Sequence, residues 1–144
     1  MLLGWLFLII ALFALFYLRY KYPYWIGKRG EEVVGNNLNK LNSTNYKILN
    51  NLLLPSNGNI STAQIDHVVV SNYGIFCIET KTYKGWIFGN ANQDYWTQVI
   101  YRYKNKFYNP LRQNYSHTKA IEDLIKTEYP KVPIITFIVF TIAD

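Results

Sequence analysis

The stretch QIDHVVVSNYGIFCIETK, from Gln64 to Lys81, decides the fold because it has the pattern of a β-hairpin. Two apolar runs rich in β-branched residues, Gln64–Val70 and Ile75–Thr80, flank a turn at Ser71–Gly74. Such runs joined by turn-forming residues are typical of two antiparallel strands. A sheet built around this hairpin would be mostly buried.

Three charged side chains interrupt this apolar pattern: Asp66, Glu79 and Lys81. Because strand side chains alternate between faces, Glu79 and Lys81 share one face of their strand. If the hairpin register brings Asp66 beside them, two carboxylates and an ammonium converge at one end of the sheet. Carboxylates this close repel each other unless a cation lies between them, which indicates a divalent metal site. The alternative is a buried ion pair without a catalytic role.

Further elements are predicted on both sides of the hairpin. Before the hairpin we expect a helix from about Lys28 to Leu41, a strand at Tyr46–Pro55 and a loop at Ser56–Thr62. After it we expect a further strand or irregular stretch between Gly85 and Asn109, then a second helix, and finally a strand at Val132–Ala143. The second helix has Asn109 as N-cap, Pro110 in its first turn and a core stripe of Ile121, Leu124 and Ile125. The last run is almost continuously apolar, which favours a strand buried on both faces of a parallel pair. The order αβββαβ predicts an α/β sandwich around one mixed sheet.

The run LLGWLFLIIALFALFYL, Leu2 to Leu18, has no charged residue and is near the lower limit of length for a membrane-spanning helix. A cleaved signal peptide is less favoured because no Lys or Arg precedes the run, and a buried globular helix would need more partner surface than this small domain offers. We expect a transmembrane anchor at residues 1–22 and one domain at residues 23–144. The segment KYPYWIGKRG is expected to be a linker in which Pro23 and Gly27 interrupt the helix.

The distribution of charged residues predicts both the orientation of the protein in the membrane and the charge of its partner. Basic residues follow the apolar run and none precedes it, so the positive-inside rule predicts a single-pass protein with a cytoplasmic C-terminal domain. The net charge of +6 favours an anionic partner, either nucleic acid or acidic lipid. The one cysteine, Cys77, cannot form an intrachain disulfide and is expected to be a small core residue.

An aspartate, a hairpin turn and then Glu-x-Lys resembles the active-site motif of the PD-(D/E)XK nuclease superfamily, with Ile65 in place of the usual proline. The segments GKRGEEVV, QIDHVVVSNYGIFCIETK, GWIFG, YWTQ and NPLRQNYSHTKAI resemble, in this order, the nuclease-related domain (NERD) family. The resemblance runs from Trp25 to the C-terminus. It implies a restriction-endonuclease-like α/β sandwich with a central mixed sheet, preceded here by one transmembrane helix.

The resemblance also implies site residues. It implies metal ligands at Glu31, Asp66 and Glu79, with Mg²⁺ or Mn²⁺ as cofactor and Glu32 as a less favoured substitute for Glu31. It implies catalytic roles for Asp66, Glu79, Lys81 and Gln113, with Lys81 assisting the attacking water. Gln113 either steers that water or a phosphate, or only hydrogen-bonds to the sheet edge. We expect His117 at the helix surface or in a supporting role, and His67 either packed or hydrogen-bonded beneath the first helix or in a functional role.

Aromatic and basic residues alternate between Trp86 and Arg112. Such side chains can stack on bases and neutralise phosphates, although core packing is the alternative for most of the aromatics. Lys104, Lys106 and Arg112 are the predicted nucleic-acid contacts.

Together these features predict a membrane-anchored, divalent-metal-dependent nuclease-like protein that hydrolyses phosphodiester bonds in nucleic acid, with DNA as the expected substrate. The alternative is a non-catalytic module that binds nucleic acid or protein at the membrane with a nuclease-like fold. A purely lipid-directed function is less favoured because much of the positive charge lies far from the anchor.

Overall fold

The computed structural model describes residues 2–55 and 62–142. Within these ranges the chain forms two helices and seven strands: α1 (Leu2–Leu38), β1 (Tyr46–Pro55), β2 (Thr62–Ser71), β3 (Gly74–Thr82), β4 (Trp86–Phe88), β5 (Tyr95–Ile100), β6 (Tyr103–Tyr108), α2 (Pro110–Ile125) and β7 (Ile134–Thr141). The predicted hairpin is present as β2 and β3. The predicted loop at residues 56–61 lies outside the described residues.

Four strands form a mixed sheet in the order β1-β2-β3-β7. The pairs β1–β2 and β2–β3 are antiparallel, and β3–β7 is parallel. On one face Val34 of α1 packs with Val69 and Ile78. On the other, Ala120 and Ile121 of α2 pack on the sheet. The predicted α/β sandwich with a central mixed sheet is therefore confirmed.

A second, three-stranded sheet, β4-β5-β6, lies between β3 and α2 in the sequence. Its strands are antiparallel. The expectation of one further strand or an irregular stretch in this region was wrong. The sheet contacts the rest of the domain through aromatic rings, with Trp96 stacked on Phe140 of β7 and Tyr83 packed on Phe107.

Helix α1 is one helix from Leu2 to Leu38, so the predicted interruption at Pro23 and Gly27 was wrong. A proline inside a helix removes one backbone hydrogen bond and crowds the preceding turn. At Pro23 the helix lies among exposed neighbours, where water can satisfy the freed carbonyl. Its N-terminal part is apolar and exposed, and the helix is long and apolar enough to be a candidate membrane span.

Two predictions about burial were also wrong. Strand β7 lies at an edge of the described sheet, and Phe137 and Phe140 are partly exposed there, so the strand is not buried on both faces. Leu124, expected in the core stripe of α2, is exposed, whereas Ile121 is buried and Ile125 packs against the core.

Strands β1 and β2 change faces together at one point. Ile48 and Val69 pack on the α1 side, whereas Leu52 and Ile65, further along the same strand pair, pack on the α2 side. Strict alternation would have kept all four on one face. The change occurs at Asn51, whose φ of 53° lies in the left-handed region. Asp66 lies opposite this position in the register, so the rotation of the strand pair sets where the Asp66 carboxylate lies.

Candidate active site

Asp66 lies where β2 and β3 separate. The β2–β3 pairing ends at His67 and Ile78, and the same register continued by one residue sets Asp66 opposite Glu79. Asp66 Oδ2 accepts a hydrogen bond of 2.8 Å from the backbone N–H of Thr80. The Asp66 carboxylate therefore accepts a hydrogen bond from β3 at the point where the backbone pairing of β2 and β3 ends. This contact places the carboxylate at the end of β3 that carries Glu79 and Lys81.

Glu79 is 3% exposed and is held by side chains from β3 and α2. Its Oε1 accepts from Lys81 Nζ at 2.7 Å and from Gln113 Nε2 at 2.7 Å. Lys81 Nζ also donates to Gln113 Oε1 at 2.9 Å. The structure thus brings together three of the predicted site residues in a closed triangle of hydrogen bonds.

His117 completes the surroundings of Glu79. It is buried, and its Nδ1 lies 3.3 Å from Glu79 Oε2 without forming a well-aligned hydrogen bond. Burial raises the pKa of Glu79, but His117 and Lys81 together lower it below its usual value. The supporting role expected for His117 agrees with this contact, and the helix-surface alternative was wrong. The sequence signal was its spacing of four residues from Gln113, which places both on one face of α2.

Glu31 reaches the site because α1 crosses the end of β3 closely at Gly30. A Cβ atom at Gly30 would overlap Thr82 Oγ1 and lie 2.6 Å from Thr141 Oγ1, so this crossing requires glycine. Burial and the charge of Glu79 raise the pKa of Glu31, while Lys28 and Lys81 oppose the change. Glu31 is therefore within electrostatic reach of Glu79.

The charges at Asp66 are not balanced by the side chains around it. Burial, then the charge of Glu79 and that of Glu31, raise the pKa of Asp66 to about 6, although the Thr80 N–H and Lys81 act in the opposite direction. Burial and two neighbouring carboxylates thus disfavour the ionised form of Asp66, and a cation bound beside it would favour that form.

Replacing Asp66 by asparagine is expected to stabilise the metal-free protein. The carbonyl of the introduced amide can still accept from the Thr80 N–H, but the repulsion by Glu79 and Glu31 is gone. Because the pKa of Asp66 is raised from 3.8 to about 6, the folded state binds more protons than the unfolded state in this range. The contribution of Asp66 to the free energy of unfolding therefore falls as pH rises from about 4 to 6 and stays lower above it.

We expect Asp66→Asn to remove this fall and to raise the free energy of unfolding at pH 8 by about 1–2 kcal/mol, after allowing for screening by solvent. The measurement is urea unfolding of the full-length protein in detergent micelles with EDTA, between pH 4 and 8. Asp94→Asn, at an exposed ion pair, is the control. Equal pH dependence in wild type and Asp66→Asn would contradict the electrostatic argument.

A groove of about 700 Å³ opens between α1 and the β1–β2 strands. Glu31 and Asp66 lie in its lining, together with Lys28 and Gln64. His67 lines it as well and lies beneath α1 as predicted, with Nδ1 2.8 Å from Asn50 Oδ1. The groove thus gives a substrate access to the Asp66 carboxylate from the α1 side of the sheet.

The carboxylates are ligands of the type that a hard divalent cation prefers. Their side chains, however, are not arranged to bind one ion together. Among the described residues, no three His, Cys, Asp or Glu side chains converge closely enough to hold a metal ion. Glu79 Oε1 is occupied by Lys81 and Gln113, whereas the buried Oε2 atom has no hydrogen-bond partner within the described part of the chain. All candidate donors are oxygens, as Mg²⁺ prefers. Asp66, Glu31 and the Oε2 atom of Glu79 are therefore the oxygens that would hold such an ion.

The three predicted nucleic-acid contacts lie on β6 and at the start of α2. Lys104 and Lys106 are exposed on β6. Arg112 pairs with Asp94 at 2.6 Å and donates to the carbonyl of Asn92 at 3.5 Å. Arg112 therefore ties α2 to the loop before β5, which is a structural role that the sequence did not reveal.

Asn114, the neighbour of Gln113 on α2, is fully buried. Its Nδ2 donates to the carbonyls of Cys77 and Phe137, each at 3.0 Å, and its Oδ1 accepts from Cys77 Sγ at 2.9 Å. Asn114 thus joins α2 to both β3 and β7. Cys77 lies in the core as expected, and burial raises the pKa of its thiol to about 12, which excludes a thiolate nucleophile at neutral pH.

Comparisons with known proteins agree with this arrangement. The model of the nuclease-related domain (NERD) family matches residues 26–141, a range that includes every residue of the candidate site. An uncharacterized protein of Bacillus anthracis is 44% identical over 115 residues, which are 80% of this chain and 54% of that protein. The chain therefore spans about half the length of that relative. No solved structure matches the chain. With the sandwich fold, the acidic cluster and a family match over most of its length, the chain belongs to the nuclease-related domain family.

Proposed function

We propose that this protein is a membrane-anchored, divalent-metal-dependent nuclease that hydrolyses phosphodiester bonds, with DNA as its substrate. The observation that carries the proposal is that Asp66 and Glu31 line one groove and both lie within electrostatic reach of Glu79, which Lys81 contacts directly. Asp66 and Glu31 both have raised pKa values because of burial and neighbouring negative charge. Such perturbed groups cluster at functional sites more often than elsewhere.

The side chains would divide the work as follows. Asp66, Glu79 and Glu31 would hold Mg²⁺ or Mn²⁺, which supplies charge neutralisation and Lewis acidity when bound. Lys81 has three N–H donors, and its bonds to Glu79 and Gln113 leave one for a phosphate oxygen or the attacking water. Gln113 fixes the direction of the Lys81 ammonium. His117 supports the Glu79 carboxylate through its other oxygen, Oε2.

The N-terminal half of α1 would form the anchor. The apolar run Leu2–Leu18 is about 25 Å long as a helix, close to the thickness of a hydrocarbon core. Exposed Tyr17, Tyr20, Tyr22 and Trp25 lie at its C-terminal end, where aromatic residues suit the membrane interface. Arg19 and Lys21 at the same end favour a cytoplasmic domain.

One observation favours a second function, a non-catalytic binding module with a nuclease-like fold. Lys81 and Gln113 occupy Glu79 Oε1, and Lys81 holds it in a salt bridge. If this pairing is permanent, Glu79 cannot serve as a ligand and the fold serves only for binding.

A cleavage assay separates these functions. We expect the full-length protein in detergent micelles to cut labelled single-stranded or duplex DNA with Mg²⁺ or Mn²⁺, and to lose this activity with EDTA or in the Asp66→Ala variant. An RNA oligonucleotide of the same sequence tests the assignment of DNA. The absence of cleavage on every substrate, or cleavage that survives Asp66→Ala, would reject the nuclease proposal.

Glu31 and Glu32 provide a matched pair for testing the metal site. Glu31 is half-buried and its pKa responds to Glu79 and Lys81, whereas Glu32 is exposed. We expect Glu31→Gln to weaken Mn²⁺ binding about tenfold or more, because even the loss of a group that only supports a metal ligand typically costs about 10–100-fold in affinity. Glu32→Gln should leave binding unchanged. Isothermal titration calorimetry on the full-length variants measures both, and equal effects would remove Glu31 from the site.

A further inference from the structure

The exposed face of the second sheet carries aromatic and basic side chains in register. Strand alternation and the β4–β5–β6 register place eight side chains on this face: Trp86, Phe88, Tyr95, Thr97, Val99, Lys104, Lys106 and Tyr108. We call this set the aromatic face. Trp86 is 73% exposed, and Phe88, Tyr95 and Tyr108 are each at least half exposed. Large aromatic side chains left in water on one surface indicate a binding site.

The charges on the aromatic face define the partner. Two of its eight members are lysines and none is acidic. The nearest carboxylate along β5, Asp94, is paired with Arg112. The face therefore attracts an anion, and its aromatic rings need planar apolar groups to cover them. A nucleic acid has both, because its phosphates are anionic and its bases have π-faces.

The arrangement of the aromatic and lysine side chains in rows fits a single strand of nucleic acid. Register pairs place Trp86, Val99 and Lys104 across the sheet in one row, and Phe88, Thr97 and Lys106 in the next. The aromatic column on β4 and the lysine column on β6 are two strand spacings, about 10 Å, apart, and the two lysines are about 7 Å apart along β6. A nucleotide can span the distance between the two columns, with its base on β4 and its phosphate at β6. The phosphates of neighbouring nucleotides can match the spacing of the two lysines along β6. Bases paired in a duplex cannot reach such a platform.

A hollow of about 620 Å³ beside the platform is lined by Phe88, Tyr95 and Lys106 among others. It offers an unstacked base an aromatic wall together with a nearby cation. The opposite face of the sheet is partly covered, since Trp96 and Phe107 pack toward Tyr83 and Phe140, although Tyr103 and Asn105 remain exposed there. Among the described residues, the exposed aromatic side chains of this sheet are therefore concentrated on the aromatic face.

We propose that the aromatic face of β4–β6 binds single-stranded nucleic acid by base stacking on Trp86, Phe88, Tyr95 and Tyr108 and by phosphate contacts to Lys104 and Lys106. As a way of holding the strand to be cut, this binding rests on the proposed nuclease function. The binding itself is independent of cleavage and can be measured without metal.

The test is fluorescence anisotropy with a labelled thymidine oligonucleotide of about 16 nucleotides, full-length protein in detergent micelles, and EDTA to prevent cleavage. We expect Lys104→Gln/Lys106→Gln to weaken binding about tenfold or more and to reduce the slope of log K against log salt by about 1.4. Trp86→Ala should weaken binding at least about fivefold with an unchanged salt slope, because it removes stacking but no charge. A duplex of equal length should bind at least about tenfold more weakly than the single strand.

Matched controls are available on other surfaces. Lys40→Gln/Lys47→Gln changes the net charge equally at exposed positions away from the face, and Tyr73→Ala removes an aromatic side chain with the same 73% exposure as Trp86. If the aromatic-face variants bind the oligonucleotide like these controls, the proposal is wrong. It is also wrong if duplex binds as tightly as single strand, or if the variants lose only binding to vesicles of anionic lipid.

The outcomes for binding and for cleavage are separable. Binding that depends on the aromatic face, in a wild-type protein that cuts no substrate, supports this inference and rejects the nuclease proposal. Cleavage that is indifferent to the aromatic-face variants supports the nuclease proposal and rejects this inference.

Discussion

Replacing Glu79 by glutamine is expected to lower the rate of DNA cleavage by about 10²- to 10⁴-fold, the range seen for removal of a group that acts directly at a reacting centre. Glu79 has the largest expected effect because it takes part in two functions at once. Its carboxylate is a proposed metal ligand, and its Oε1 accepts from both Lys81 and Gln113. The glutamine amide keeps the size of the side chain but loses the negative charge that holds the Lys81 ammonium.

Glu79→Asp is the informative control, because it keeps the carboxylate and shortens the side chain by one methylene. We expect this variant to retain more metal-dependent cleavage than Glu79→Gln. The measurement is single-turnover cleavage of labelled DNA at saturating Mn²⁺, with thermal unfolding to verify that both variants fold. Full activity of Glu79→Gln in a folded protein would remove Glu79 from the active site.

Replacing Asn114 by aspartate is expected to destabilise the protein by about 3–5 kcal/mol at pH 7, as does an uncompensated buried charge in other proteins. The two side chains have nearly the same shape, so no cavity forms. A carboxylate, however, cannot donate to the Cys77 and Phe137 carbonyls that Asn114 Nδ2 contacts. It would also lie fully buried on α2, next to the residue that contacts Glu79.

Thermal unfolding in detergent micelles measures this change, and we expect the midpoint to fall by roughly 10 °C. Asn105→Asp makes the same substitution at an exposed position of β6 and should shift the midpoint little. The loss should be smaller near pH 4, where protonation of the introduced carboxylate restores one donor. A midpoint unchanged from the wild type would show that Asn114 does not hold α2 to the sheet.

Local patterns were sufficient to predict the elements that form the site. The turn residues and β-branched runs predicted β2 and β3, and the side chain of Asn109 accepts from the N–H of Leu111 at the start of α2 as its N-cap position implies. Because strand side chains alternate between faces, the pattern of β3 also predicted that Glu79 and Lys81 lie side by side on one face. Gln113 was assigned through family resemblance; the structure places it in contact with both residues, and its catalytic role stays a prediction.

Features that depend on tertiary contacts could not be predicted. The rotation of β1 and β2 occurs at Asn51, which has a positive φ although its strand contains no glycine. The alternation of apolar and polar residues does not reveal such a rotation. The continuity of α1 through Pro23 contradicts local propensity, which treats a proline as a helix end. The salt bridge between Arg112 and Asp94 joins α2 to the loop before β5, so it depends on a tertiary contact that local patterns do not reveal.

The continuity of α1 has a consequence for where the protein can act. Leu18 and Glu31 belong to the same helix, and the helix between them rises about 20 Å. A domain on a flexible tether would sweep a wide volume, whereas in the proposed arrangement this rigid helix would hold the candidate site at a nearly constant height above the bilayer. Only nucleic acid within a few nanometres of the membrane would then reach the site.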